Sequence, residues 1–276
     1  MPELPEVETI VRQLRDNIVG QEIESVQILR RDQWKLNDPA EMEKCLAGER
    51  IMVINRRAKF IAIDFESGNQ LVIHLRMTGK LIWSPGKPLT DKFKRTVFYF
   101  TSGSSMQFND TRALGTLTFY HSSDKDCWQK KLGLEPLNED WQISRLKEIC
   151  NKSSLQMKDL LLDQTKIAGI GNIYANEILF RAKIHPERRA NTLSSREISA
   201  LYRIIPEVLQ LAIEKMGTSL GDGVFNYRSV YNIEGEFQNI LAVYNQEGEP
   251  CLVCKSPIQR IKQKGRSSYF CGMCQV

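Results

Sequence analysis

Two groups of residues in this chain could do chemistry. The first is its start, Met1-Pro2-Glu3-Leu4-Pro5-Glu6. An initiator Met before a residue as small as Pro is generally removed by methionine aminopeptidases, which would leave Pro2 with a free secondary amine. An α-amine has a pKa of about 7.7–8.0, so an appreciable fraction is neutral at pH 7. A neutral amine can attack a carbonyl carbon and form a Schiff base, and the Glu3 carboxyl beside it could pass protons. The plain alternative is that Pro2 and Pro5 only stiffen the first turn of a helix, where proline is welcome. The second group is Cys251-x2-Cys254, followed after 16 residues by Cys271-x2-Cys274. Each CxxC turn presents two thiolates, and the two pairs match the spacing of a four-cysteine zinc ribbon. A disulfide pair or a redox motif is the alternative. Between the pairs stand Lys255, Arg260, Lys262, Lys264 and Arg266 with no acid among them. Such a one-signed ribbon fits a phosphate-gripping finger, whereas a solubilising face usually mixes the signs.

The totals set bounds on the elements that must hold these groups. A chain of 276 residues has room for one large domain or two ordinary ones. With 42% apolar and 26% charged residues it is expected to fold around a sizeable core. The net charge of +5 is a mild bias towards a polyanionic partner. The first ten residues carry three acids and no apolar run, so no secretory signal is expected. No apolar run approaches the roughly 18 residues of a membrane span. The seven cysteines are an odd number, and Cys45, Cys127 and Cys150 stand alone. That usage suits a reducing compartment with a metal site better than a disulfide framework.

Along the chain, Val7, Ile10, Val11, Leu14 and Ile18 trace one helical face that docks on a core and fixes the N-terminus in space. Eight short strands are expected: Ile23–Leu29, Ile51–Asn55, Phe60–Phe65, Leu71–Leu75, Leu81–Trp83, Thr96–Thr101, Met106–Phe108 and Thr116–Tyr120, with a short helix near Pro39–Ala47. Many short strands with small turns suggest a sandwich or a barrel. Three polar stretches lie between them: Arg56-Arg57-Ala58-Lys59, His74 to Lys80, and Asn109 to Gly115. Taken singly, each reads more readily as a solvated loop or surface turn. Residues 121–150 look like a connector, and residues 144–216 are helical in pattern. One helix is expected from Ser154 to Asp163, a second from Asn172 to before His185, and a third from Ser194 towards Met216, kinked or broken at Pro206. The turn Ala168-Gly169-Ile170-Gly171-Asn172 allows close backbone approach, and the helix start behind it is suited to a phosphate. Glycine-rich residues 217–238, with few apolar anchors, read as a mobile loop that could serve as a lid.

Four motifs now stand together: Pro2-Glu3-Leu4-Pro5-Glu6-Val7-Glu8-Thr9, His74-Leu75-Arg76-Met77-Thr78-Gly79, Leu160-Leu161-Leu162-Asp163-Gln164 running to Gly169-Ile170-Gly171-Asn172-Ile173-Tyr174, and the ribbon ending Cys271-Gly272-Met273-Cys274-Gln275. In this combination the chain resembles the bacterial formamidopyrimidine-DNA glycosylase and endonuclease VIII family over nearly its whole length. The resemblance implies an α+β, two-lobed fold. Its parts are an N-terminal catalytic β-sandwich with flanking helices over 1–125, a linker over 126–150, a helix–two-turn–helix domain with a lesion-site loop over 151–240, and a zinc-finger hairpin over 241–276. It implies one structural Zn2+ on Cys251, Cys254, Cys271 and Cys274. By resemblance Pro2 is the nucleophile, Glu3 the proton shuttle and Glu6 its support. Lys59, counted with that catalytic set, also matches a backbone-phosphate position, as do His74, Asn172 and Arg266, with Tyr244 beside them. Met77, Arg112 and Leu114 match residues that fill the gap when a base leaves the stack.

The partner implied is double-stranded DNA carrying a damaged base or an abasic site. No membrane partner is implied, and the protein is expected to be a monomer of the bacterial cytoplasm, at the nucleoid. The activity implied is a bifunctional glycosylase and abasic-site lyase acting on oxidised bases, 8-oxoguanine and formamidopyrimidines first. Three departures bear on the preferred base: Leu114 stands where the family usually has Phe, residues 217–238 are a few residues longer, and Asp91-Lys92-Phe93-Lys94-Arg95 lacks a histidine often found there. The alternatives are the same chemistry on oxidised pyrimidines or bulky and crosslinked adducts, and a damaged-DNA-binding protein without catalysis.

Overall fold

The computed structural model describes residues 1–221 and 227–276. The chain divides into two compact units, residues 1–130 with 215–238, and residues 131–214 with 239–276.

The first unit opens with α1 (Leu4–Ile18), entered through Pro5 in its first turn. Val7, Ile10, Val11, Leu14 and Ile18, the predicted stripe, are all fully buried. Next come β1 (Ile23–Ile28), α2 (Pro39–Leu46), β2 (Ile51–Arg57), β3 (Phe60–Phe65), β4 (Gln70–His74), β5 (Gly79–Ser84), β6 (Lys94–Phe100), β7 (Ser105–Asp110) and β8 (Thr116–Tyr120). Asp38 caps α2 by accepting the Ala40 amide at 3.0 Å, and Pro39 occupies its first position. The eight strands form two four-stranded antiparallel sheets, ordered β1-β6-β7-β5 and β2-β3-β4-β8. This is a sandwich, not a closed barrel. Its core joins the α1 stripe to Ile54, Ile61, Ile73, Leu81, Phe98, Phe108 and Leu117 from both sheets.

Residues 215–238 belong to this unit, although the sequence groups them with the helices that precede them. The expectation of few apolar anchors does not hold for their described part. Tyr227 and Val230 lie in the sandwich core, and Phe237 is fully buried. The Val230 carbonyl accepts the Trp83 amide of β5 at 3.0 Å. Gly223, Phe225 and Asn226, part of the expected lid, lie outside the described residues.

The second unit holds α3 (Ile143–Asn151), α4 (Met157–Leu162), α5 (Asn172–Ala182), α6 (Ser195–Glu214), β9 (Gln259–Gln263) and β10 (Arg266–Phe270). Where one helix is expected from Ser154, two short ones flank it. Ser153 and Ser154 sit in the gap between them, and α3 occupies the end of the expected connector. The helix α6 runs through Pro206 without the break that was one of the two expected outcomes. Proline has no N–H, so the Tyr202 carbonyl one turn earlier loses its helical donor. The Trp141 indole N–H supplies the missing bond at 3.0 Å, its ring stacked on Tyr202 at 5.8 Å and 6°. Strands β9 and β10 pair as an antiparallel hairpin. Among the described residues, no helix is long and apolar enough to cross a membrane.

Candidate active site

The start of α1 is organised around two buried carboxylates. Pro2 is buried, and Glu3 and Glu6 are only 2% and 1% exposed. Glu6 Oε2 accepts the Glu3 amide at 2.7 Å, within a reciprocal capping box between the two acids. Glu6 Oε1 accepts the Thr218 amide at 2.8 Å. One carboxylate therefore fixes the backbone next to Pro2 and anchors it to a segment far along the chain. Only glycine fits at 217: its φ is +81°, and a Cβ there would lie 2.8 Å from the Glu6 side chain. Tyr227 lies close by, and burial together with the Glu6 charge pushes its phenol well above the ordinary value, so it stays protonated. Further along α1, burial opposes the Glu8 charge, but Arg56 at 2.7 Å and Arg12 at 2.9 Å hold its carboxyl below the usual range. That pair ties α1 to β2.

Lys59 sits at the turn between β2 and β3, after Ala58 at φ +53°, and is 5% exposed. The next residue, Phe60, pairs in register with His74, and the two rings meet edge-on at 4.5 Å. His74 is 7% exposed. Burial first, then the Arg76 and Lys59 charges, pushes its pKa down to about 3. The imidazole is therefore neutral at physiological pH. Its Nδ1 accepts the Arg76 amide at 3.0 Å, which places the single ring proton on Nε2. His74 is a neutral donor beside a lysine.

Met77 follows Arg76, which has φ +52°, in the turn between β4 and β5, and Leu114 follows Ala113, also at φ +52°, in the turn between β7 and β8. Their side chains are 42% and 45% exposed, and Arg112 is exposed beside Leu114. Large apolar groups held out to solvent at two left-handed corners are suited to entering something else. Pro2, Glu3, Glu6, Lys59, His74, Met77, Arg112 and Leu114 thus all lie in the first unit.

The other predicted residues lie in the second unit. Asn172 opens α5 after Gly171, and the Gln164 side chain braces the turn before it, accepting the Gly169 amide at 2.9 Å and donating to the Ile170 carbonyl at 2.9 Å. Asn172 Nδ2 reaches the Ser267 carbonyl at 3.3 Å, so the helix start meets the hairpin next to exposed Arg266. Half-buried Tyr244 packs its ring against Tyr269 at 5.3 Å. Its amide and those of Ala242 and Val243 all point at the fully buried Glu177 carboxylate, at 3.0–3.1 Å. The ribbon's charge is less one-signed than its sequence suggests: Lys264 pairs with Asp159 at 2.9 Å and Arg260 with Glu247 at 3.2 Å, acids from outside the segment.

The sulfurs of Cys251, Cys254, Cys271 and Cys274 lie within 4.8 Å of one another. Cys251 and Cys274 are 3.9 Å apart, and Cys254 and Cys271 3.3 Å. A Zn–S bond of about 2.3 Å gives a tetrahedron with edges of about 3.8 Å, so the set fits one structural Zn2+.

The chain matches three family models: the formamidopyrimidine-DNA glycosylase N-terminal domain over residues 1–117, the helix–two-turn–helix domain of the same enzymes over 132–222, and the zinc finger found in these enzymes and in isoleucyl-tRNA synthetases over 248–276. It is 39% identical to the formamidopyrimidine-DNA glycosylase of Pelotomaculum thermopropionicum, covering 100% of this chain and 99% of that one. The chain belongs to the formamidopyrimidine-DNA glycosylase family. The Gluconobacter oxydans member is 40% identical, with full coverage of both chains. The Lactococcus lactis glycosylase, solved in complex with abasic-site DNA, superposes with a TM-score of 0.91 at 36% identity over 99% of each chain. The same relative in complex with DNA containing an oxidised pyrimidine superposes at 0.90.

Within this member of the family, sequence reasoning missed Thr218 as a support in the first unit, and Gln164 and Glu177 as supports in the second. Gln164 carried a signal, because it stands six residues before the glycine turn's Ile170. Glu177 carried none, since a mid-helix glutamate is ordinarily a solvated residue.

Proposed function

We propose that this chain excises oxidised bases from duplex DNA and cuts the strand at the resulting site, with the processed amine of Pro2 as nucleophile. The observation that carries the reading is the buried start of α1, where the Glu6 carboxylate joins the Glu3 amide to the Thr218 amide and so holds Pro2 in one place. A base inside a duplex is unreachable and must be flipped out, at a cost of a few kcal/mol. Phosphate grips at Lys59, His74, Asn172, Tyr244 and Arg266 and wedges at Met77, Arg112 and Leu114 offset that cost.

The Pro2 nitrogen then bonds to C1′ while the C1′–N bond to the base breaks. Glu3 carries the proton that the departing base needs. Ring opening gives an iminium, which acidifies the C2′ proton. Loss of that proton expels the 3′ phosphate, and a second elimination expels the 5′ phosphate. Water releases the sugar fragment from Pro2. None of these steps passes through the ribbon, whose zinc and Arg266 serve binding.

Oxidised purines and formamidopyrimidines are the first substrates, in keeping with the family. A wider range, including oxidised pyrimidines and bulky adducts, is favoured by one feature: Leu114 is a non-aromatic wedge, 45% exposed. The Lactococcus lactis relative, solved with an oxidised pyrimidine and with an N7-benzyl-Fapy-dG, supports that breadth. The chain works in the bacterial cytoplasm, on the nucleoid.

Borohydride with abasic duplex should trap one covalent adduct that peptide mass spectrometry assigns to Pro2. No adduct from zinc-loaded protein lacking Met1, or tight binding without strand cutting, would leave only a binding protein. Excision rates on a panel of single-lesion duplexes decide the substrate.

A further inference from the structure

Asp110, the last residue of β7, has no part in the chemistry above. It is 1% exposed, and both carboxylate oxygens are fully engaged. Oδ1 accepts the Thr78 hydroxyl and, at 3.2 Å, the Arg112 amide. Oδ2 accepts the Gly115 backbone amide at 2.7 Å and the Gln33 side-chain Nε2 at 2.9 Å. The Arg112 amide also reaches the Thr78 hydroxyl at 3.1 Å.

These partners bracket the three exposed corner residues. Thr78 is the neighbour of Met77. Arg112 is itself a donor, and Gly115 is the neighbour of Leu114. Gly115 has no room for a side chain, because a Cβ there would lie 2.6 Å from Phe108 and 3.1 Å from Asp110 Oδ2. Each of the two turns links the two sheets: β4 belongs to one and β5 to the other, and β7 and β8 are divided in the same way. Both are crossings between the layers of the sandwich, and one buried carboxylate closes both. Bonds from N–H and O–H groups to an ionised oxygen are short and directional, so they hold Ala113 and Arg76 at left-handed corners that non-glycine residues seldom adopt.

From this geometry we infer that Asp110 is a positioning residue for base extrusion: its carboxylate sets Met77, Arg112 and Leu114 at fixed spacing as a single rigid insert. The inference rests on the reading of those three as gap-filling residues. Its consequence is selective. Strand opening needs the insert, whereas amine attack on an abasic site in single-stranded DNA, which has no base to extrude and no stack to fill, does not.

The test is Asp110→Asn, which keeps the shape but turns one oxygen into an NH2 group facing the donors. Single-turnover excision from lesion duplex should fall by about 100-fold, the usual effect of an ångström-scale misplacement. Borohydride trapping on a single-stranded abasic oligonucleotide should stay within about twofold. In a Met77→Ala, Arg112→Ala, Leu114→Ala background, Asp110→Asn should cost almost nothing more, because groups acting as one unit are not additive. Wild-type excision by Asp110→Asn, equal loss in both assays, or a full further loss in the triple background would each overturn the inference. If the triple variant itself excises normally, the gap-filling reading falls and takes the inference with it. If the triple variant is slow and Asp110→Asn is not, only the inference falls.

Discussion

On the proposed reading of His74 as a phosphate grip, its tautomer makes a prediction that separates two kinds of grip. With its pKa pushed down to about 3, the ring is neutral throughout the working pH range. With Nδ1 occupied by the Arg76 amide at 3.0 Å, only Nε2–H is left to donate. A neutral donor displaces no counterion, so it adds to affinity without adding to its salt dependence. A hydrogen bond to a charged group is worth about 1.5–3 kcal/mol, so His74→Ala should weaken binding to abasic-site duplex by about 10- to 100-fold. The slope of log K against log salt should not change, and lowering the pH from 8 to 5.5 should steepen it no more in wild type than in His74→Ala. An imidazole of ordinary pKa, about 6.5, would be mostly charged at pH 5.5 and would add about 0.9 to the slope. The same burial predicts a stability signature. A depressed histidine pKa gives stability that is fully present above the unfolded value of about 6.5 and is lost as pH falls towards the folded value. The loss attributable to His74 is about 2 kcal/mol by pH 5 and about 4 kcal/mol by pH 3. Urea titrations of wild type and His74→Gln at pH 7 and 5 measure the difference. Fluorescence anisotropy across a salt series measures the slope, and nitrogen NMR of the ring reads the tautomer directly. A slope that drops by about one unit in His74→Ala, or a ring that titrates near pH 6.5, would refute the reasoning.

Three further outcomes are expected. Arg266→Ala, which removes an exposed cation, should flatten the same slope by about 0.9 and weaken binding equally across sequences, checked by the same anisotropy series. Glu6→Gln leaves two backbone donors sharing one acceptor oxygen, so chemical denaturation should show a loss of about 1–3 kcal/mol, and borohydride trapping should slow far more than duplex affinity falls. Trp141→Phe strips the donor from a helix carbonyl that Pro206 cannot serve, costing about 1–3 kcal/mol. Adding Pro206→Ala restores an N–H and should recover part of it, a non-additivity visible in a double-mutant cycle by urea denaturation.

Much of the sandwich was legible because its signals are local. The α1 stripe and the strand–turn alternation are periodic, and each stripe residue is buried as its spacing implies. The four cysteines were legible because CxxC turns specify their own geometry. What escaped has partners far away in sequence. Pro206 reads as a break until Trp141, 61 residues from Tyr202, is seen to satisfy the orphaned carbonyl. Tyr227, Val230 and Phe237 follow no period, so a glycine-rich stretch hides three anchors. Arg260 and Lys264 look unbalanced because Glu247 and Asp159 lie outside the window that holds the ribbon's charges. The chemistry proposed at Pro2 rests on residue types, but the way Pro2 is held was not legible, since the donor from Thr218 has no mark in the sequence.

That last bond has a consequence for the order of events in a cell. The Glu6 carboxylate is completed only by an amide 212 residues further on. At synthesis rates of about 5–20 residues per second, about 10–40 s pass between the emergence of the two partners from the ribosome. Throughout that interval the chain start lacks its final anchor, which would leave Met1 within reach of the peptidase that the proposed mechanism requires. On the proposed reading, the nucleophile is thus matured before it is enclosed, and a nascent chain would carry its reactive group without yet having the clamp that aims it.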